Sequence, residues 1–349
     1  MPKTVPWTST AATGIGSLPG TDIDEAVRLV LGELPELPHL PELPARGVGA
    51  DMIGRTAATL VDLAVEEVPS GYRVTAKAGR DHRRGKDLLA RDLDALADGV
   101  DRAGAPPPVL KLQFAGPWTL AAHVELPRGH RVLTDHGALR EFTESLVEGI
   151  AAVIDEVSDR IGAPVVVQLD EPSLPAVLAG SLPTPSGYGT VAAVPEPVAR
   201  QRLSTVIDAV AEVSDQPVIV HCCAPRPPVA LLHDAGASAI ALDASGLANA
   251  PGTLLDELGG FVDDAGVLLL GLVPSSQPRS AATPPTLRTL AQPALDLVAR
   301  LGFSRDVLAR QAMPTPTCGL AGASAEYLRW ALRAVRELGK AFAEPPQDW

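Results

Sequence analysis

Short apolar runs without polar alternation recur along the chain, and they constrain its fold more than any other feature. Such runs are typical of parallel strands that are buried on both faces. Longer segments with helical periodicity, such as 138–157 and 198–213, lie between them. The runs occupy residues 12–17, 109–115, 164–170, 217–223, 238–244, 267–273 and 312–319. This alternation of strands and helices predicts an α/β fold with a parallel sheet.

The number of runs favours a closed barrel over an open sheet. Seven runs are clear, and we assign an eighth strand near residues 72–77, which gives a TIM (β/α)8 barrel. The chain has 349 residues, a length that one such barrel can fill. We therefore expect a single catalytic barrel over residues 1–349. The proline-rich stretch 33–47 is expected to be an extended loop near the barrel mouth or a spacer without chemistry, because prolines interrupt helices.

Charge and composition exclude several classes of partner. The formal net charge is −13, whereas nucleic acids and anionic membranes require a basic surface. The sequence contains no apolar stretch of the ~20 residues that span a bilayer and no signal-peptide core. We therefore expect a cytoplasmic protein that acts on small molecules. Only three cysteines occur, which does not suggest a disulfide framework but leaves metal ligation or catalysis open.

Side chains that bind zinc follow the ends of three predicted strands. His221 and Cys223 are two residues apart, so the strand pleat directs both to one face and Cys222 to the other. Cys318 and Asp243 end two other runs, and sulfur, imidazole and carboxylate together suit Zn²⁺. The alternatives are a buried cysteine or histidine without metal, and a helix N-cap for Asp243.

The order of these motifs along the chain resembles the catalytic barrel of cobalamin-independent methionine synthase. The full enzyme of that family has an additional N-terminal barrel, so the resemblance implies a short form here. The matching motifs are Ile15-Gly16-Ser17, Leu169-Asp170-Glu171-Pro172, His221-Cys222-Cys223, Asp243 and Pro316-Thr317-Cys318-Gly319-Leu320.

The resemblance implies a zinc ion bound by His221, Cys223 and Cys318, with Asp243 in the position of a glutamate ligand. The sulfur of homocysteine would join this metal. A bound thiol loses its proton more readily than a free one, which would supply the nucleophile for methyl transfer.

The resemblance also assigns the residues that hold the substrates. Asp170 would bind the amino group of homocysteine, while Ser17 and the Ile15 backbone would contact its other end. Asp170 and Glu171 are the candidate catalytic carboxylates, with an ordinary turn after the strand as the alternative. Asp51 belongs to a retained Asp-Met pair and is a further candidate for substrate binding. Trp118 would stack on the pterin of the methyl donor or, equally, pack in the core.

Two departures from the family pattern affect the expected substrates. Residues 269–280 lack the histidine that the family is thought to use as a proton shuttle, and Arg46 stands where a glutamate is expected. The leading hypothesis is methyl transfer to homocysteine from 5-methyltetrahydrofolate or from a methylcorrinoid, carried by a corrinoid protein. The alternatives are another zinc-activated thiol alkyltransferase of the coenzyme M type and a noncatalytic protein that binds zinc or homocysteine.

Overall fold

The computed structural model describes residues 5–184, 186–277 and 284–346. In this part of the chain, strands and helices alternate over most of the length. The strands are β1 Ala64–Val68, β2 Gly71–Thr75, β3 Leu110–Ala115, β4 Val124–Glu125, β5 Val165–Asp170, β6 Val218–His221, β7 Ala239–Asp243, β8 Val267–Val273 and β9 Ala312–Pro316. The α-helices are α1 Ile23–Glu33, α2 Met52–Ala57, α3 Arg80–Ala103, α4 Pro117–His123, α5 His136–Ile161, α6 Leu174–Ala179, α7 Glu196–Val213, α8 Val229–Asp234, α9 Gly252–Asp263, α10 Leu287–Arg300, α11 Asp306–Gln311 and α12 Ala325–Ala343.

A curled parallel sheet forms most of a TIM-type barrel wall. Its strand order is β3-β5-β6-β7-β8-β9, and every neighbouring pair is parallel. Six of the seven predicted runs therefore form strands of this sheet, which confirms the predicted α/β barrel class. Within the described ranges, no helix is long and apolar enough to cross a membrane.

The prediction of the eighth strand is wrong. Residues 72–77 overlap β2, but β2 pairs antiparallel with β1 and parallel with β4 in a separate three-stranded sheet. The stretch has the β-branched and aromatic residues of a strand, and composition alone cannot say which sheet a strand joins.

The remaining barrel wall consists of two extended segments, residues 12–17 and 38–42. Isolated parallel bridges join Ser17 to Glu42 and His39 to Lys111. The Leu40 N–H donates to the Lys111 carbonyl, and the Lys111 N–H donates to the Pro38 carbonyl. Proline has no N–H, so the repeated prolines of this stretch allow only a broken ladder. The barrel is consequently not fully closed by regular strands in the described residues.

The barrel interior changes from apolar to polar along the strands. Its lower part is filled by small and aliphatic side chains, namely Ala11, Ile15, Leu37, Val109, Val166, Ile219, Ala239, Ala241, Val267, Leu269 and Met313. Towards the carboxyl ends of the strands, buried polar groups such as Gln168, Asp170 and His221 replace them. Burying charged groups is unfavourable unless they are paired. This end of the barrel is therefore where a site is expected.

Candidate metal and substrate site

One imidazole and two thiols converge at the carboxyl end of the barrel. His221 is the last residue of β6, Cys223 follows two positions later, and Cys318 follows β9. Their ligand atoms all lie within 4.8 Å of one another. Three of the four proposed metal ligands are thus brought together, although Cys318 is remote from Cys223 in sequence. Cys222 is fully buried and belongs to the apolar cluster between the sheet and the helices.

The His221 ring has one occupied and one free nitrogen. Its Nδ1 lies 2.7 Å from Oδ1 of Asp170. Its Nε2 is buried and has no hydrogen-bond partner among the described residues. A carboxylate on Nδ1 stabilises the tautomer with the proton on that atom, which leaves the Nε2 lone pair available to a metal. An orphaned buried nitrogen beside two sulfurs fits a Zn²⁺ ion.

The two thiols share one hydrogen bond. The Sγ atoms of Cys223 and Cys318 are 3.4 Å apart. Chiefly because of this hydrogen bond, the pKa of Cys318 is lowered to about 6 and the pKa of Cys223 is raised. A hydrogen bond between two cysteines stabilises the thiolate form of the accepting sulfur, and thiolates are the form that binds zinc.

Asp243 caps the short 3-10 helix that follows β7. It is the last residue of β7, and its Oδ1 accepts a 2.8 Å hydrogen bond from the Ser245 N–H at the start of a short 3-10 helix. It is not part of the three-residue group of potential ligands. Its role as a zinc ligand therefore remains a prediction.

Asp170 is fixed from two sides within the barrel. Besides the His221 contact, its Oδ1 accepts a 2.8 Å hydrogen bond from Nε2 of Gln168. Oε1 of Gln168 accepts in turn from Nζ of Lys111 at 2.6 Å. Burial lowers the pKa of Lys111 to about 7, while the charges of Asp170 and Glu42 oppose this change.

Glu42 is a pocket carboxylate that the sequence reasoning missed. It is 5% exposed, and its Oε1 accepts from Nε2 of Gln113 at 3.2 Å. Burial raises its pKa to about 7, Arg55 opposes this rise, and the Asp170 charge adds to it. Glu42 and Asp170 are thus close enough to repel each other. The stretch 33–47 contains three glutamates, Glu33, Glu36 and Glu42, so the sequence alone did not distinguish Glu42 from the other two.

Arg46 does not project a charge into this pocket. Its guanidinium binds both carboxylate oxygens of Asp92, at 2.6 and 2.8 Å. Arg55 also binds Asp92, which is completely buried. Arg46 therefore has a structural partner in Asp92.

Glu171 faces away from the barrel interior. Its Oε1 accepts from the Trp118 N–H at 2.9 Å, and its Oε2 accepts from the N–H and Oγ1 of Thr119, both at 2.8 Å. These donors form the first turn of α4, so the carboxylate caps that helix. Burial raises the pKa of Glu171 to about 7. A catalytic role for this carboxylate is not supported by its position, since its oxygens are already bonded to the helix.

Trp118 lies in the core. Its side chain is fully buried, and its Nε1 donates to the Ala199 carbonyl at 2.9 Å. The ring offers no open face to a pterin in this position. Trp118 therefore packs between α4 and α7, and the structure favours this interpretation over stacking on the pterin of a methyl donor.

The other proposed substrate-binding residues lie at two places. The carbonyl of Ile15 accepts from Nε2 of Gln168 at 2.8 Å, which puts it beside the Asp170 network. Ser17 lies against Gly319, where an added Cβ would come 2.0 Å from the Ser17 Oγ. Asp51 is instead the N-cap of α2, and its carboxylate also accepts from the Tyr72 hydroxyl. Ile15 and Ser17 are consequently next to the site, while a substrate contact for Asp51 remains a prediction.

Comparisons with known proteins give a family and a fold. The family model described as "Cobalamin-independent synthase, Catalytic domain" matches residues 9–341. No curated protein matches the sequence.

Two solved structures resemble the fold over nearly the whole chain. A B12-independent methionine synthase from Shewanella sp. W3-18-1, in complex with selenomethionine, has 14% identity and a TM-score of 0.58, with 95% of this chain and 97% of that chain covered. A methyltransferase from Methanosarcina mazei has 16% identity and a TM-score of 0.56, with 98% and 94% covered. At these identities the likeness is one of fold.

Proposed function

Because the chain belongs to the cobalamin-independent synthase catalytic-domain family, we propose that it is a zinc-dependent methyltransferase that methylates the thiol of homocysteine to give methionine. The observation that carries the proposal is the group formed by His221, Cys223 and Cys318 at the mouth of the barrel. The proposal assigns the activity to one barrel.

The metal-ligating atoms at the site indicate which metal ion it would bind. Two sulfurs and an imidazole with a free, buried Nε2 are a typical zinc set, and a catalytic zinc site keeps one position open for substrate. When bound, the ion would lower the pKa of a substrate thiol and so favour the nucleophilic thiolate. The protein's own contribution is to hold the three ligands and to fix the His221 ring through Asp170.

The carboxylates beside the metal group favour a thiol that also carries an ammonium. Asp170 and Glu42 are both buried and repel each other. A substrate ammonium between them would relieve this repulsion in a medium of low dielectric constant. Ile15 and Ser17 would contact the other end of the amino acid. A thiol without an amino group, such as one of the coenzyme M type, would leave the compensation of these carboxylates to Lys111 and Arg55 alone.

The methyl donor in the proposal is 5-methyltetrahydrofolate, with a methylcorrinoid as the second possibility to be assayed. The overall reaction moves the thiol proton into the medium or onto the leaving group of the donor. The chain lacks the family histidine in residues 269–280, so the two donors place different demands on proton delivery. A folate donor needs a proton at its leaving nitrogen, whereas a corrinoid leaves as a reduced metal complex.

The test combines metal analysis with methyl transfer. We expect about one zinc per chain, and methionine formed from homocysteine with one of the two donors. Cys318→Ala should lose both metal and product, and Cys222→Ser, which alters a cysteine outside the ligand group, is the matched control. Zinc and thiol binding without product from either donor would instead indicate a noncatalytic binding protein. Equal turnover of a thiol without an amino group would refute the assignment of homocysteine.

A further inference from the structure

The buried hydrogen bonds below the metal group form a continuous chain that ends on a metal ligand. Lys111, Gln168 and Asp170 follow one another at 2.6 and 2.8 Å, and Asp170 meets His221 at 2.7 Å. All four residues are 4% exposed or less. We propose that Lys111 and Gln168 are positioning residues for the metal site, because they fix the carboxylate that orients His221. This inference rests on the proposed function above.

The Gln168 amide forms hydrogen bonds with three neighbours through its NH₂ group and its oxygen. Its NH₂ group donates to the Ile15 carbonyl and to Oδ1 of Asp170, both at 2.8 Å, and its carbonyl oxygen accepts from Lys111. An amide has two N–H donors and one acceptor oxygen, so this set fixes its orientation. Turning the amide over would place its oxygen against the carboxylate of Asp170. The side chain is therefore held in one state.

Lys111 forms the end of the hydrogen-bond chain that lies opposite His221. Its ammonium contacts Oε1 of Gln168 at 2.6 Å, the Ile15 carbonyl at 3.3 Å and Oε1 of Gln113 at 3.4 Å. Three acceptors match the three donors of an ammonium group. As an ammonium, Lys111 can only donate, so it favours the orientation in which the oxygen of Gln168 points towards it and the NH₂ group towards Asp170.

The hydrogen-bond chain matters because a carboxylate with a single partner is free to rotate. The terminal torsion of aspartate is broad, so Asp170 without a second partner could turn away from the Nδ1 of His221. The imidazole would then lose its preference for the tautomer that presents Nε2 to a metal. The chain also joins the metal ligand to the Ile15 segment, which is expected to contact the substrate. Ligand geometry and substrate position thus depend on the same hydrogen bonds.

The test replaces Gln168 by Met, which keeps the length of the side chain and removes its donors and acceptor. Gln113→Met is the matched control, because Gln113 is the direct register partner of Gln168 on β3 and its NH₂ group donates to the Leu40 carbonyl and to Glu42 instead of Asp170. It supplies the longest of the three contacts of Lys111, at 3.4 Å, so its loss leaves the links from Lys111 to Gln168 and from Gln168 to Asp170 in place. The readouts are the zinc dissociation constant, from competition with a chelator, and the His221 tautomer in the metal-free protein, from ¹⁵N NMR.

We expect Gln168→Met to weaken zinc binding about tenfold, the low end of the effect of removing the partner of a metal-ligating histidine. It should also give a mixture of His221 tautomers, while Gln113→Met retains parental zinc affinity and a single tautomer. Parental zinc affinity and a single tautomer in Gln168→Met would overturn the proposal.

A second variant covers a failure to fold. Gln168→Asn retains the amide but is one methylene shorter, so it cannot reach both Lys111 and Asp170, and it should change both readouts in the same direction. Parental values in this folded variant would also refute the proposal. Neither readout involves methyl transfer. A parent protein with one tautomer and bound zinc that never methylates homocysteine would therefore refute the proposed function and leave the positioning role standing.

Discussion

Replacement of Glu42 by Gln tests the charge of the substrate pocket. Glutamine retains the shape of the side chain and an oxygen that can accept from Gln113. It removes the ionisable group whose pKa is raised to about 7, chiefly by burial and further by the Asp170 charge. The variant therefore separates the electrostatic role of Glu42 from its packing.

The size and sign of the effect follow from the pKa. A rise from 4.5 to about 7 corresponds to about 3 kcal/mol between the protonated and ionised forms. Between pH 4.5 and about pH 7, Glu42 retains a proton in the folded parent that it has lost in the unfolded chain. The free energy of unfolding of the parent therefore falls as pH rises through this range. The glutamine variant has no such loss. It should match the parent near pH 4.5 and exceed it by up to about 3 kcal/mol above pH 7.

Urea unfolding of the metal-free proteins at several pH values measures this difference. The exposed carboxylate of Glu66 on β1 provides the control, because Glu66→Gln makes the same chemical change outside the barrel interior. Homocysteine should bind more weakly to the Glu42→Gln variant than to the parent, even though the variant is the more stable protein above pH 7. Loss of one carboxylate should weaken homocysteine binding about tenfold, a typical effect of removing one charged hydrogen bond. A stability difference for Glu42→Gln that is the same at pH 5 and pH 8 would refute the reasoning.

Three further outcomes follow from the site. Cys222→Ser should retain zinc and Cys223→Ser should lose it, as measured by metal content after dialysis, and equal loss from both would contradict the ligand assignment. Asp243→Ala should retain more zinc than Cys318→Ala in the same measurement, and the reverse order would show the site to be misassigned. Trp118→Phe should lower the free energy of unfolding by about 1–3 kcal/mol, since it leaves a buried carbonyl without its donor, while the KM for the methyl donor stays at the parental value. A large rise in that KM would restore the stacking interpretation.

The sequence was sufficient to predict that the side chains of His221, Cys223 and Cys318 converge, because strand geometry brings them together. The period-2 pleat puts His221 and Cys223 on one face, and parallel strands bring their carboxyl ends to one end of a barrel. Neither rule depends on the loops. Cys318 joins the group because β9 ends at the same edge as β6, which the order of strands and helices already implied.

The segment that carries Glu42 could not be predicted in the same way. Its prolines remove the N–H groups of a regular ladder, so the pattern favours a loop, yet the remaining groups of Leu40 and Glu42 still bridge both neighbouring segments. The residues of β2 gave a stronger strand signal and were assigned to the barrel in its place. Local composition reports how a segment prefers to fold, while the partner of a strand is decided by tertiary contacts.

The proposed fourth ligand, Asp243, is the part of the site that would depend on a competition between two local interactions. Ala241 is the register partner of His221, so Asp243 lies one pleat further along, at the level of Cys223. In that position its Oδ1 caps the following turn through the Ser245 N–H. Loss of such a cap costs about 1 kcal/mol, which a metal–carboxylate bond can exceed but which still makes this ligand weaker than the two thiolates. A carboxylate with an alternative partner two residues away is well suited to leave the metal when a substrate thiolate arrives, because its release restores a hydrogen bond instead of exposing an unpaired charge.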